Sequence, residues 1–217
     1  VVACIDKPTM EWINERIQRK GYIWLNFPVN DFVRDHILMG PAYGNGLDIA
    51  GDVSGFVRNP MEYAETSKIS LYGIADYCWN MEAYDYQSNW EKSIENILPS
   101  NPQALRTFAL YNKDLGPNGH GFRREEGEEL RETADKALTG DMYATAMINN
   151  ACFELNIACD ILLNDNSNPE LIHELRPWLI QGKHLATYGS AVCTMLMFSE
   201  MKDNVSAASK FLTFENL

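Results

Sequence analysis

The spacing of hydrophobic positions changes along the chain, and the change predicts two short strands followed mostly by helices. Two apolar runs of strand-like composition, residues 22–27 and 53–57, each end in polar side chains where a turn or helix should begin. Residues 7–20 precede them with apolar positions at helical spacing, and Thr9 is the predicted cap. A glycine-rich stretch, residues 32–48, predicts a loop long enough to fold over a site.

After the second run the apolar positions follow helical spacing. The Asn59-Pro60 step predicts a helix start, since asparagine caps free amides and proline is tolerated at the first helical position. Further helices are predicted at 88–98, 102–112, 128–139, 143–163, 169–175 and 177–200. Pro177 is expected to kink or restart the last helix, because proline cannot donate a backbone hydrogen bond. The pattern therefore predicts a mainly α chain with a minor β part.

Within the helical run 143–163, two sets of side chains fall on defined faces. Ala146, Phe153, Ile157 and Ile161 mark one apolar face. Cys152 and Cys159 are seven residues apart and so share a face, where a free cysteine behaves as a small buried apolar group.

Four polar-tipped side chains lie near the ends of the two strand-like runs: Trp24, Asn26, Asp31 and Asn59. In barrels of alternating strands and helices, substrates sit at the C-terminal ends of the strands. An indole offers an apolar plate for a sugar ring, while amides and a carboxylate can bond its hydroxyl groups. These four residues are the predicted substrate-binding set, and no catalytic or metal-binding residue is predicted.

Each of the four also has a purely structural interpretation. Trp24 would be a core tryptophan, and Asn26 and Asp31 would serve the turn chemistry that favours these residues at strand exits. Asn59 would be the helix cap, a role that leaves its amide able to face a site as well. The residues alone leave both interpretations open.

The segments WLNFPVND, HILMGPAYGNGLDIA, SGFVRNPMEYAETSKISLYGIADYCWN and DLGPNGHGFRREE carry a family resemblance. They resemble the late part of the catalytic barrel of glycoside hydrolase family 84, the bacterial O-GlcNAcases, with the nearest resemblance to the Bacteroides enzymes. The resemblance implies the last two strand-helix units of a (β/α)8 TIM barrel followed by an α-helical bundle. It places the end of the barrel at residues 1–120 and an incomplete bundle at 121–217, with a boundary in residues 115–121.

The resemblance implies a retaining β-N-acetylglucosaminidase with a substrate-assisted mechanism and no metal or organic cofactor. Trp24 would shape the acetamido pocket, Asn26 and Asp31 would hold hydroxyls on the far side of the sugar, and Asn59 would contact the sugar. The family's chemistry requires two adjacent aspartates on an earlier strand, and the sequence contains no Asp-Asp pair. We therefore interpret the chain as the C-terminal part of the enzyme and predict that it is inactive alone.

Charge and cysteine usage exclude several other classes. The net charge of −12 argues against nucleic acid and anionic membrane surfaces as partners, because both need clustered Lys and Arg. The five cysteines are widely spaced without a CxxC, which argues against zinc. No serine-hydrolase, phosphate-loop or dinucleotide motif occurs.

Two histidine positions invite a catalytic interpretation that the sequence supports poorly. His36 lies beside Asp35, but adjacent residues usually point apart. His120 precedes Arg123 and Arg124, which two glutamates follow, so this segment is interpreted as a polar interdomain loop.

An N-acetylglucosamine-containing glycan or glycoprotein is the expected partner, and the parent enzyme is expected to be secreted or periplasmic. The incomplete barrel would leave a strand edge through which two copies of the chain can pair. A second hypothesis is a helical protein-interaction module without a sugar-binding role. Convergence of Trp24, Asn26, Asp31 and Asn59 on one concavity would favour the first hypothesis, and scatter would favour the second.

Overall fold

The computed structural model describes residues 4–113 and 128–200. The chain divides into two compact units, the first comprising Val1–Pro102 with Asn112–Arg123 and the second Gln103–Tyr111 with Arg124–Leu217. The predicted boundary at 115–121 lies outside the described residues, as do His120, Arg123 and Arg124.

The first unit combines two strands with helices. Its elements are α1 (Lys7–Ile17), β1 (Gly21–Leu25), β2 (Val53–Arg58), α2 (Ala64–Trp79), a short 3-10 helix (Met81–Ala83) and α3 (Tyr86–Ile97). The two strands pair in parallel, with Trp24 opposite Val57 and Leu25 opposite Arg58. The predicted strands and helices of this unit therefore exist, with ends shifted by a few residues.

Two predicted helix caps are wrong. The side chain of Asp6 caps α1 by accepting a hydrogen bond from the backbone amide of Thr9 at 2.9 Å. Thr9 therefore lies inside the helix and is not its cap. Helix α2 begins at Ala64 after Tyr63, five residues beyond Asn59. Asn59 does not cap this helix because its backbone extends the strand pairing, donating to Leu25 O at 3.1 Å and accepting from Val29 N at 3.0 Å.

One face of β1 is buried in the first unit and the other is exposed. Ile23 packs into a core with side chains from α1, α2 and the connecting segments: Met10, Ile49, Tyr77, Met81 and Tyr84. Tyr22 and Trp24, which alternate with Ile23, are 65% and 63% exposed. The small sheet thus presents a bare aromatic face.

The glycine-rich connection between the strands is a loop, as predicted, but its middle is core. Residues 37–41 are buried. Trp90 Nε1 donates to Met39 O at 2.8 Å and Ser70 Oγ donates to Gly40 O at 2.9 Å. These bonds satisfy backbone acceptors that would otherwise be buried without partners, so this part is anchored in the unit.

Burial of Tyr77 is expected to make the free energy of unfolding of the first unit fall at alkaline pH. Its hydroxyl donates to Gly46 O at 2.6 Å, and burial raises its pKa to about 12. Above about pH 10 the unfolded chain loses this proton while the folded chain keeps it, so stability falls as the pH rises towards 12. Urea titrations from about pH 8 to about pH 11 should show a steeper loss for the wild type than for Tyr77→Phe. Parallel losses in the two proteins would contradict this assignment.

The second unit is helical. It contains residues 103–110 of α4 (Pro102–Leu110), with α5 (Glu128–Leu138), α6 (Met142–Leu163) and α7 (Pro169–Glu200). The prediction that Pro177 kinks or restarts the last helix is wrong in one respect, since α7 is a single helix with Pro177 inside it. Leu171 and Leu175 before the proline and Leu179 after it are all buried, so packing on both sides compensates for the missing backbone hydrogen bond.

Helix α6 is apolar on more than one face. Its buried residues include Leu155, Cys159 and Leu162, whereas Phe153 and Ile157 of the predicted apolar face are exposed. By length and composition alone this helix could cross a membrane, a test that core helices of soluble proteins also pass. Here its buried face packs within the helical unit.

Cysteines and glycines seven residues apart mark the close approach of α6 and α7. A Cβ atom added to Gly182 would lie 3.0 Å from Cys159 Sγ, and one added to Gly189 would lie 2.5 Å from Cys152 Sγ. The shared cysteine face predicted from the spacing therefore faces the two glycines of α7.

Gly189→Ala is expected to destabilise the second unit by about 1 kcal/mol, because the clash with the thiol outweighs the better helix propensity of alanine. In a Cys152→Ala background the same substitution should become stabilising, since the obstructing sulfur is gone. Urea unfolding of the four proteins measures this reversal of sign. Equal effects of Gly189→Ala in both backgrounds would show that the contact is unimportant.

Candidate functional site

The parallel pairing brings the two strand ends to the same edge of the sheet. Asn26 follows β1 directly, Asn59 follows β2 directly, and the bond from Asn59 N to Leu25 O continues the pairing beyond the last strand residues. The amides of the two asparagines, 33 positions apart in sequence, therefore meet.

Trp24, Asn26 and Asn59 form a hydrogen-bonded group, here called the Trp24 cluster. Trp24 Nε1 donates to Asn26 Oδ1 at 2.6 Å, and Asn59 Nδ2 donates to the same oxygen at 3.3 Å. An indole nitrogen can only donate, so it fixes the orientation of the Asn26 amide. The bonds within the cluster use neither Asn26 Nδ2 nor Asn59 Oδ1, which leaves one donor group and one acceptor atom for a ligand.

Trp24 is not buried within the first unit. Its side chain is 63% exposed, and its indole N–H is already bonded to Asn26. The ring therefore presents a large apolar surface at the edge where the two amides lie. Such a surface suits the apolar face of a sugar ring.

Asp31 is the fourth predicted site residue and is not part of the hydrogen bonds that join the cluster. It is exposed, and its carboxylate has no hydrogen-bond partner within residues 4–113 and 128–200. The backbone before Asp31 is held in place by Asn30, which is 3% exposed and whose Nδ2 donates to His36 O at 2.6 Å. Sequence reasoning missed Asn30, although an asparagine beside a predicted site aspartate was a usable signal.

His36 and Asp35, expected to point apart, are in contact. His36 Nδ1 lies 3.1 Å from Asp35 Oδ1, and this hydrogen bond lowers the pKa of the Asp35 carboxyl. Both side chains are exposed. A contact between two exposed neighbouring side chains does not by itself make a catalytic base.

Within the described ranges, no group of three His, Cys, Asp or Glu side chains is placed to hold a metal ion. The chemistry available at the strand ends is therefore that of amides, an aromatic face and a carboxylate. These groups can bind and orient a neutral, hydroxyl-rich molecule.

Comparison with protein families decides the assignment of the chain. Residues 1–110 match the model of the family described as beta-N-acetylglucosaminidase, and residues 128–215 match that described as bacterial GH84, post-catalytic domain. The chain belongs to glycoside hydrolase family 84. The resemblance seen in the sequence is thus confirmed, and both family 84 regions occur in the family's order.

Solved structures of family 84 share the fold. CpGH84D has 28% identity and a TM-score of 0.86, with 100% of this chain and 36% of that chain covered. CpGH84B has 23% identity and a TM-score of 0.82, with 100% and 40% covered. A mutant of the Thermobaculum terrenum O-GlcNAc hydrolase has 22% identity and a TM-score of 0.83, with 97% and 45% covered. The chain thus spans less than half the length of each of these structures.

Proposed function

We propose that this chain is the C-terminal part of a retaining β-N-acetylglucosaminidase and that it supplies sugar-binding residues. Trp24, Asn26, Asp31 and Asn59 hold the sugar, while the catalytic aspartate pair belongs to a part of the enzyme outside these 217 residues. The substrate is an N-acetylglucosamine-containing glycan or glycoprotein.

The Trp24 cluster is the observation that carries this proposal. A sugar hydroxyl can donate and accept, so it can bond both Asn26 Nδ2 and Asn59 Oδ1. The Asp31 carboxylate adds a charged acceptor, which forms stronger bonds to hydroxyl groups than a neutral one. No strongly basic surface is needed for a neutral sugar, in keeping with the net charge of −12.

The strand pair is, on this proposal, the last two strands of an eight-stranded barrel. Three features support this view: the strands are parallel, α2 follows β2, and one face of β1 carries the exposed aromatic residues Tyr22 and Trp24. Parallel sheets are normally covered on both faces. In a closed barrel the bare face would become the barrel interior and its mouth.

The mechanism proposed for the complete enzyme is substrate-assisted. The acetamido oxygen of the sugar attacks the anomeric carbon while one aspartate polarises the amide, and the bond to the leaving oxygen breaks as the other aspartate protonates that oxygen. The second aspartate then takes a proton from the water that attacks the anomeric carbon and reopens the ring formed by the acetamido group. Trp24 contributes a wall for the acetamido group, and the two asparagines with Asp31 fix the ring. Correct positioning matters because intramolecular attack depends on alignment of the reacting atoms.

A series of acetamido-modified substrates tests this mechanism in the complete enzyme. Aryl N-acetyl-β-glucosaminide should be cleaved, its trifluoroacetyl analogue much more slowly, and the aryl β-glucoside not at all. Fluorine withdraws electrons from the amide oxygen and so weakens it as a nucleophile. Equal rates for the acetyl and trifluoroacetyl substrates would contradict participation of the sugar's own amide.

A helical interaction module remains the second candidate, and the exposed apolar residues of α6 favour it. Phe153 and Ile157 lie on a face of α6 away from its buried residues. If docking were the main role, replacing both by glutamate would abolish partner capture and leave hydrolysis by the complete enzyme unchanged. The convergence of three of the four predicted sugar contacts supports the glycosidase instead.

A further inference from the structure

A cavity of about 240 Å³ lies in the first unit, between the ends of the strands, the loop 42–47 and the helices. Leu25 and Arg58, which are paired across the sheet, form one side of it. Successive strand residues point to opposite faces, so Leu25 lies on the face opposite Trp24. This space, here called the Arg58 cavity, is therefore separate from the Trp24 cluster.

Arg58 is the sole charged residue among those that line the cavity. Its Nε and Nη2 atoms are buried and have no hydrogen-bond acceptor in the part of the chain that the structure describes. Its guanidinium lies 5.6 Å from the centre of the Phe27 ring, a contact that compensates little for lost hydration. Burial lowers the pKa of Arg58 to about 10, so the group still carries its charge at neutral pH.

Apart from Asn45, whose Oδ1 accepts a hydrogen bond from Ile5 N at 3.0 Å, the rest of the lining is mainly aromatic and apolar. Hydrogen bonds hold part of it in place. Tyr77 and Tyr84 donate their hydroxyls to Gly46 O and Ala42 O, each at 2.6 Å, so both tyrosines tie the loop down. Tyr43 and Tyr86 stack with ring centres 5.3 Å apart. These four tyrosines are therefore held in position, and they offer flat apolar surfaces.

We propose that the Arg58 cavity binds a small carboxylate with a flat apolar body. The carboxylate supplies the missing acceptor, because its two oxygens match the planar fork of a guanidinium. A single cation among the lining residues suits a singly charged anion better than a phosphate. The volume is below the roughly 300–1,000 Å³ of sites for drug-sized molecules, so the ligand is small.

Binding also requires the side chains that cover the Arg58 nitrogens to shift. The two unpaired nitrogens are solvent-inaccessible, so a carboxylate reaches them only as the neighbouring side chains move aside. The proposal is independent of the sugar-binding function, since the cavity and the Trp24 cluster share no residue.

The test is a titration of the 217-residue chain with sodium benzoate, followed by NMR of arginine side chains labelled with ¹⁵N. Sodium sulfate at equal ionic strength controls for general salt effects. The Arg58 Nε–Hε signal should shift in a saturable manner with benzoate. Benzamide, the neutral isostere, should bind about tenfold more weakly or not at all, because it lacks the charged acceptor.

Two variants make the assignment specific. Arg58→Met should lose benzoate binding while remaining folded, because replacing an unpaired buried charge by an apolar chain of similar length does not destabilise. Arg58→Lys keeps the charge without the planar fork and should bind benzoate about tenfold more weakly. This variant provides the test if Arg58→Met does not fold. Arg34→Met removes an exposed arginine of the same unit and should bind benzoate like the wild type.

Three results would overturn the proposal. One is a shift of the Arg58 signal that grows linearly with benzoate and matches the effect of sulfate. Another is equal affinity for benzoate and benzamide. The third is benzoate binding that persists unchanged in folded Arg58→Met or in Arg58→Lys.

Discussion

The isolated chain is expected to show no hydrolysis of an aryl N-acetyl-β-glucosaminide, whereas the complete enzyme is expected to hydrolyse it. The sequence contains no Asp-Asp pair, and Asp31 is the only carboxylate among the four proposed sugar contacts. One carboxylate cannot both polarise the acetamido group and protonate the leaving oxygen. The expected rate is therefore that of the blank, against a turnover of about 1–10³ per second for typical enzymes.

The control for this experiment is a preparation of the chain carrying Asp31→Ala, purified identically. Equal background in both preparations would identify any residual signal as contamination. Hydrolysis that exceeds the blank and disappears with Asp31→Ala would show that the chain itself carries catalytic groups, contrary to the proposal.

Replacing Asp31 in the complete enzyme is expected to lower kcat/KM about 10- to 100-fold for alanine, the loss associated with a hydrogen bond to a charged group. Asp31→Asn keeps the shape and one acceptor, so its loss should be smaller. The backbone around residue 31 should persist in both variants, because the buried Asn30 amide holds this loop through His36 O. Steady-state kinetics with the aryl substrate measures both effects.

Asp35→Asn is the matched control, since it removes another exposed carboxylate from the same loop. It should leave kcat/KM within about twofold of the wild type. A similar result for Asp31→Ala would mean that this carboxylate does not hold the sugar.

The strand ends were predictable from the sequence because local chemistry and tertiary structure agree there. Apolar runs followed by Asn26 and Asn59 give two strands with polar exits, and parallel pairing then brings the amides together. The bond between Trp24 and Asn26 was not predictable, because a tryptophan in a strand is equally compatible with burial. Only the structure shows its 63% exposure.

Helix α6 shows where the pattern is insufficient. Phe153 and Ile157 mark an apolar face, yet the residues that pack are Leu155, Cys159 and Leu162 on the other side. When a helix is apolar nearly all round, periodicity does not select the buried face.

Helix caps and breaks were mispredicted for a different reason, because tertiary contacts outweigh local propensity. Asparagine is a favoured helix cap, but the backbone of Asn59 is hydrogen-bonded to Leu25 and Val29 instead. Proline usually interrupts a helix, but buried leucines on both sides of Pro177 keep α7 continuous.

A crystal structure of the complete enzyme with an N-acetylglucosamine-derived inhibitor would show whether Trp24, Asn26, Asp31 and Asn59 hold the sugar. We expect the Trp24 ring against the acetamido group, with Asn26 Nδ2, Asn59 Oδ1 and the Asp31 carboxylate within about 3.2 Å of sugar hydroxyl oxygens. An inhibitor bound elsewhere, or bound without these four residues, would contradict the proposal.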